Sequence, residues 1–121
     1  MNPETIKKFV NNSDDIMGLI IADREKEIFI EYYFKADKAV EEVNQICSAV
    51  IKTLKSYEAT RTKSDLITLI LNTNDFSIIA DDYQDNNKVL IILFKPNYFV
   101  IKFVGKNAEY LKEIIQSIKS Q

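Results

Sequence analysis

From Asp37 to about Glu58 the apolar residues of this chain recur at helical spacing: Val40, Val43, Cys47, Val50 and Leu54, flanked by Ala39, Ile46, Ile51 and Tyr57. At ~100° per residue they cover an arc of about 140°, wider than the ~100° stripe with which a helix lies on one sheet. A helix with that much apolar surface calls for two neighbours. Asp37 is the expected N-cap, Glu41 and Glu42 lie near the positive end, and Lys52, Lys55, Arg61 and Lys63 lie towards or beyond the negative end, so the charges match the helix dipole.

The remaining segments read as strands and two shorter helices. Asn2 caps a first helix with Pro3 at its first position and Ile6, Phe9 and Val10 on one face. Met17 to Ala22 and Ile28 to Phe34 form a hairpin around the polar turn Asp23-Arg24-Glu25-Lys26. After the long helix come Leu66 to Leu71, Phe76 to Ala80 and Val89 to Phe94, a meander joined by turns rich in Asn and Asp. Asn107 caps a closing helix with Ala108, Leu111, Ile115 and Ile118 on one face, and Tyr98 to Val104 fits strand and helix alike.

Leu19-Ile20-Ile21, Leu66 to Leu71 and Val89 to Phe94 are apolar on both alternating sets, as strands are when both faces of their sheet are covered. The fold class that follows is α/β of the α+β type. It has three layers, with a five-stranded mixed or antiparallel sheet, the long central helix on one face and the N- and C-terminal helices on the other.

A length of 121 residues predicts one domain spanning 1–121. The net charge of −2 gives no attraction to nucleic acid or an anionic membrane, and no apolar run approaches the ~20 residues of a membrane span, so neither nucleic acid nor direct membrane insertion is expected. One Cys fits a reducing compartment, and Met1-Asn2-Pro3-Glu4 lacks the apolar core of a signal peptide, which points to the cytoplasm. Two Gly leave no room for a glycine-rich phosphate loop.

Catalytic chemistry has few candidates. The absence of His excludes Ser-His-Asp and Cys-His arrangements and His-based metal sites. Cys47, on the apolar arc with no basic partner at helical spacing, reads as a core or interface thiol. Asp81, Asp82 and Asp85 lack the Gly and terminal Glu of a calcium loop and read as a solvated turn. The six Tyr and seven Phe fall mostly within strand patterns, without the Lys and Arg of a nucleic-acid platform. No catalytic, cofactor-binding or metal-binding residue is assigned, and no enzyme activity is expected.

Binding has a better candidate. The strand Ile28 to Phe34 is bracketed by Glu25, Lys26, Glu27, Glu31 and Lys35, charges that guard an edge against pairing, whereas Leu66 to Leu71 carries neither charge nor Pro. If the latter is an edge, it and the surplus arc of the long helix form a dimer interface. The expected interface residues are Ala39, Val43, Ile46, Cys47, Val50, Leu54 and Tyr57 on the helix and Leu66, Ile67, Thr68, Leu69 and Ile70 on the strand. The alternative places this strand inside the sheet and the surplus arc in the local core.

Three stretches carry a family resemblance: Gly18-Leu19-Ile20-Ile21-Ala22-Asp23, a first strand ending in Asp; the long helix after the second strand; and Val89-Leu90-Ile91-Ile92-Leu93-Phe94 followed by Asn97-Tyr98-Phe99-Val100-Ile101-Lys102. With the element order, the chain resembles the roadblock/dynein light-chain domain, a profilin-like α/β sandwich. It departs from that pattern at Glu25-Lys26, where the family often has Gly, and at Gly105, which interrupts the final helix. The resemblance implies a dimer with itself or a paralogous roadblock domain, and a non-catalytic scaffold or regulator for small Ras-like GTPases. Neither Arg24 nor Arg61 sits where a catalytic finger could be assigned. The alternatives are a longin- or profilin-like interaction module, disfavoured by the capped helix at Asn2-Pro3, and a small-ligand sensor with a pocket under the central helix.

Overall fold

The computed structural model describes residues 3–57, 67–83 and 87–96. The chain runs α1 (Pro3–Asn11), β1 (Ile16–Asp23), β2 (Ile28–Phe34), α2 (Val40–Lys55), β3 (Ile67–Asn72), β4 (Ser77–Tyr83) and β5 (Lys88–Phe94). The strands form one sheet in the order β2-β1-β5-β4-β3, every neighbouring pair antiparallel. The expected closing helix from Asn107 and the ambiguous stretch Tyr98 to Val104 lie outside the described residues, as does the expectation that this helix joins α1 on one face.

Alternation along the central strands divides the core in two. Leu19 pairs with Ile92 and Ile21 with Leu90, and these four gather with Ile6, Phe9 and Val10 of α1. Ile20 pairs with Ile91 and Ala22 with Val89, and these gather with Val43, Cys47, Val50, Ile51 and Leu54 of α2. A strand pair apolar on both alternating sets therefore has both sets buried, which is why β1 and β5 stand in the middle of the order.

The long helix starts later than its sequence suggests. Ala39, in extended conformation, is its N-cap and makes no side-chain cap bond, so Asp37 does not cap it. Without a capping side chain, the acids Glu41 and Glu42 in the first turn and the burial of six apolar side chains hold the helix. At the other end Ser56 Oγ donates to Thr53 O at 2.6 Å, and Lys52 and Lys55 face the dipole.

The turns close without glycine. Asp23 Oδ1 accepts from the backbone N–H of Glu25 and Lys26, and Glu27 adopts φ 60 to bring the chain into β2. Between β3 and β4, Thr73 Oγ1 accepts from the N–H of Asp75 and Phe76. Glycine is needed at a close approach instead: Gly18 pairs with Phe34, and a Cβ there would lie 2.2 Å from Phe34 Cδ1. The ring lies over the bare backbone, with the Tyr32 ring centroid 5.9 Å away and Lys38 Nζ 5.6 Å from its own centroid.

Gly18→Ala should push the Phe34 ring off β1 and cost about 1–3 kcal/mol. A urea midpoint that falls with m unchanged is the expected reading, and an unaltered midpoint would contradict the close approach.

Candidate interaction surface

Two hairpin turns are latched at one end of the sheet. Arg24 N–H donates to Asn87 O at 2.9 Å, Glu25 N–H donates to Asn87 Oδ1 at 3.0 Å, and Asn87 Nδ2 donates to Asp23 Oδ1 at 3.0 Å. Lys26 N–H, then Asn87 and Glu25, hold the Asp23 carboxyl below the usual carboxylate range against a smaller opposing effect of burial. Beside the latch, Arg24 Nε lies 3.0 Å from Oδ1 and 3.2 Å from Oδ2 of Asp82, whose side chain is wholly buried. Asp81 and Asp82 thus belong to β4, not to a solvated turn as their sequence suggests. No local signal announces the ion pair, because its partners are 58 residues apart. The β1–β2 turn is also tied to α2, for Glu27 accepts from Ser48 Oγ at 3.4 Å and from Lys55 Nζ at 3.2 Å. The charge run Asp23 to Glu27 is therefore a braced corner.

β2 and β3 are the two edges of the sheet. On β2 the N–H of Phe29 donates to Asn44 Oδ1 of α2 at 3.1 Å, so a helix side chain occupies part of that edge. A bulge at Ile30 interrupts its ladder with β1. β3 reads Ile67-Thr68-Leu69-Ile70-Leu71-Asn72, pairs among the described residues with β4 alone, and exposes Ile70 at 47 % and Leu71 at 40 %. It has none of the charges, prolines or bulges that blunt an edge. Thr68 Oγ1 donates to Asp81 Oδ1 on β4 at 2.7 Å, and burial raises the Asp81 pKa against that bond.

The residues expected at a dimer interface divide. Val43, Ile46, Cys47, Val50 and Leu54 are buried in the chain's own core, so most of the wide arc of α2 is used on its own sheet. Ile78 and Ala80 of β4 and Leu93 of β5 join that cluster, which is why one sheet takes an arc wider than a single stripe. Ala39, Tyr57, Thr68 and Ile70 are exposed, with Tyr57 at 55 %, and Leu69 is partly buried. Leu66 and the side chain of Ile67 lie outside the described residues. Burial pushes the Cys47 thiol up to about 11, which leaves it protonated and inert at neutral pH. Among the described residues no acidic or sulfur cluster is arranged to hold a metal ion, and no helix is long and apolar enough to cross a membrane.

No family model and no curated protein match the sequence. The structure does find a likeness: a Roadblock/LC7 domain from Streptomyces avermitilis superposes with a TM-score of 0.71 over 98 % of both chains, at 6 % identity. The fold is that of a roadblock domain. The expected α+β class and element order are therefore correct as far as the described residues extend, and the sheet is antiparallel throughout. In this roadblock fold the Asp that ends β1 has a visible purpose, because Asp23 caps the turn and receives Asn87. The two departures noted in sequence differ in outcome. Glu27 supplies the positive φ that a turn glycine would supply, and Gly105 lies outside the described residues.

Asp81 and the Arg24–Asp82 pair give measurable expectations. In the folded protein Asp81 keeps its proton to higher pH than in the unfolded chain, so its contribution favours the fold at low pH and is lost as pH rises from 3.8 through its folded value. Asp81→Asn keeps the acceptor for Thr68 and should be the more stable protein at pH 7, converging with the parent below about pH 4; an equal or lower urea midpoint at pH 7 would refute this. Arg24→Met should cost about 3–5 kcal/mol by removing the guanidinium paired with a buried carboxylate, and Arg24→Met combined with Asp82→Leu should recover much of the loss. Additive losses in the double variant would show that the pair is not coupled.

Proposed function

We propose that the chain is a non-catalytic, cytoplasmic interaction module that dimerises through β3, with itself or a paralogous roadblock domain, and serves as a scaffold or regulator for a small Ras-like GTPase. The observation that carries the dimer is the β3 edge, an uncharged strand with Ile70 and Leu71 exposed on opposite faces. A second strand laid along it would satisfy a row of backbone groups and cover both side chains, extending one sheet across two chains. The buried positions Val43, Cys47, Val50 and Leu54 are not open to a mate, because reaching them would require lifting α2 off the sheet. The GTPase is what the resemblance of the sequence to the roadblock/dynein light-chain domain implies, and the roadblock fold supports that reading.

Light scattering at micromolar concentration should give the mass of a dimer, and Ile70→Lys should give a folded monomer, since position 70 is half exposed and tolerates charge when alone. An unchanged mass with native circular dichroism would remove β3 from the interface. For the second half of the proposal, immobilised dimer should retain a Ras-like GTPase loaded with a GTP or GDP analogue, and failure across a panel in both states would overturn the GTPase reading while leaving the dimer intact.

A further inference from the structure

The second edge of the sheet has its own pattern. β2 ends the sheet opposite β3, and it exposes Ile28 at 44 % and Ile30 at 50 %. Next to it an open cleft of about 500 Å³ runs between the start of β2 and the outer side of α2, lined among others by Lys26, Ile28, Glu41, Asn44, Gln45 and Ser48. The Asn44 amide spans the two, since its oxygen accepts from Phe29 N–H while its nitrogen has a donor half to offer a peptide carbonyl. From Glu31 to Phe34 the strand continues past the bulge with its outer row of backbone groups on the side that no described strand occupies.

The charges here choose the occupant. The cations that could neutralise this edge are committed elsewhere: Lys38 pairs with Glu42 at 3.3 Å, Lys55 with Glu27 at 3.2 Å, and Lys35 Nζ donates to Ser13 O at the far end of β2. Among the described residues neither Glu31 nor Glu41 has an ion-pair partner, and Lys26 is the cation that lines the cleft with Glu41. Two copies paired antiparallel about Glu31, the middle residue of β2, would set Glu31 against Glu31. Like charges directly opposite destabilise a strand pair, whereas an opposite charge stabilises it, so the same carboxylate rejects a second copy and admits a basic strand.

We propose that the β2 edge is a docking site for an extended basic segment of a partner protein, which adds as a strand beside Glu31–Phe34, places a Lys or Arg against Glu31, and leads into the cleft towards Glu41 and the Asn44 amide. The site is separate from β3, so the domain can hold a mate on one edge and a basic segment on the other. Pairing of main chains gives the segment its direction, Ile28 and Ile30 give it apolar contact, and the carboxylates give it its sign.

The test uses a fluorescent nine-residue peptide of alternating Lys and Val, with an alternating Glu and Val peptide and an alternately N-methylated Lys and Val peptide as controls. The Lys peptide is expected to bind in an anisotropy titration, to lose affinity with added salt, and to shift the amide resonances of Ile28–Phe34 and not those of Ile67–Asn72. Neither control should bind, the first because of its sign and the second because its backbone donors are blocked. Glu31→Lys should weaken binding by roughly tenfold, the effect of turning one favourable cross-strand pair into a repulsive one. Glu41→Lys on the helix provides a second variant should Glu31→Lys fail to fold. Equal binding of the N-methylated peptide, shifts confined to β3, or an affinity indifferent to both charge reversals would overturn the proposal, and each outcome is independent of whether β3 makes a dimer.

Discussion

The pairing of β1 with β5 is the interaction on which the rest depends. It joins a hairpin near one end of the chain to the last strand of the meander, and it runs from Ile16 opposite Phe94 to Asp23 opposite Lys88 with one irregularity near Gly18. Both strands are apolar on both sets of positions, so neither is stable until its neighbours and both helices are in place. Register matters more here than elsewhere, because a slip of one residue would exchange the α1 cluster for the α2 cluster along the whole strand. The latch at the end of the pair, from Asp23 and Arg24 to Asp82 and Asn87, fixes that register with directional bonds that the apolar core lacks.

Closing the centre in this way leaves two edges of different character. β2 is overhung by Asn44, bulged at Ile30 and charged at Glu31, whereas β3 is unbulged and uncharged and exposes Ile70 and Leu71 on opposite faces. A sheet whose two edges were both like β3 would pair without limit, while one guarded edge would confine any self-association to a single mate. The charges that guard β2 are also what allow it to discriminate among strands, so protection and recognition come from the same carboxylate.

Much of this architecture was legible before any coordinates. The burial of alternate residues in β1 and β5 followed from their unbroken apolar runs, Ile28–Phe34 matched its strand to the residue, and Pro3 marked the first helix. Where the reading missed, longer-range forces had prevailed. Asp37 has the right chemistry for an N-cap, yet the link from β2 stays extended through Ala39 and the helix begins one residue beyond it. Asp81 and Asp82 look like turn residues by composition, but pairing with Leu90 and Val89 draws them into β4, where Arg24 and Thr68 satisfy them. The arc of α2 is wider than a single stripe and suggests two neighbours, yet the described sheet absorbs nearly all of it.

The sequence by itself determined the elements, their order and the two-sided burial of the central strands, because these depend on periodicities of 2 and 3.6 residues that a short window contains. It also determined that Leu66 to Leu71 carries no protection. Only the tertiary structure decided that this strand ends the sheet, that Val43, Cys47, Val50 and Leu54 face inward while Tyr57 and Ile70 do not, and that Arg24 meets Asp82. Strand order and charge pairing are set by contacts between residues tens of positions apart, and local spacing carries no record of which distant neighbour a strand will choose.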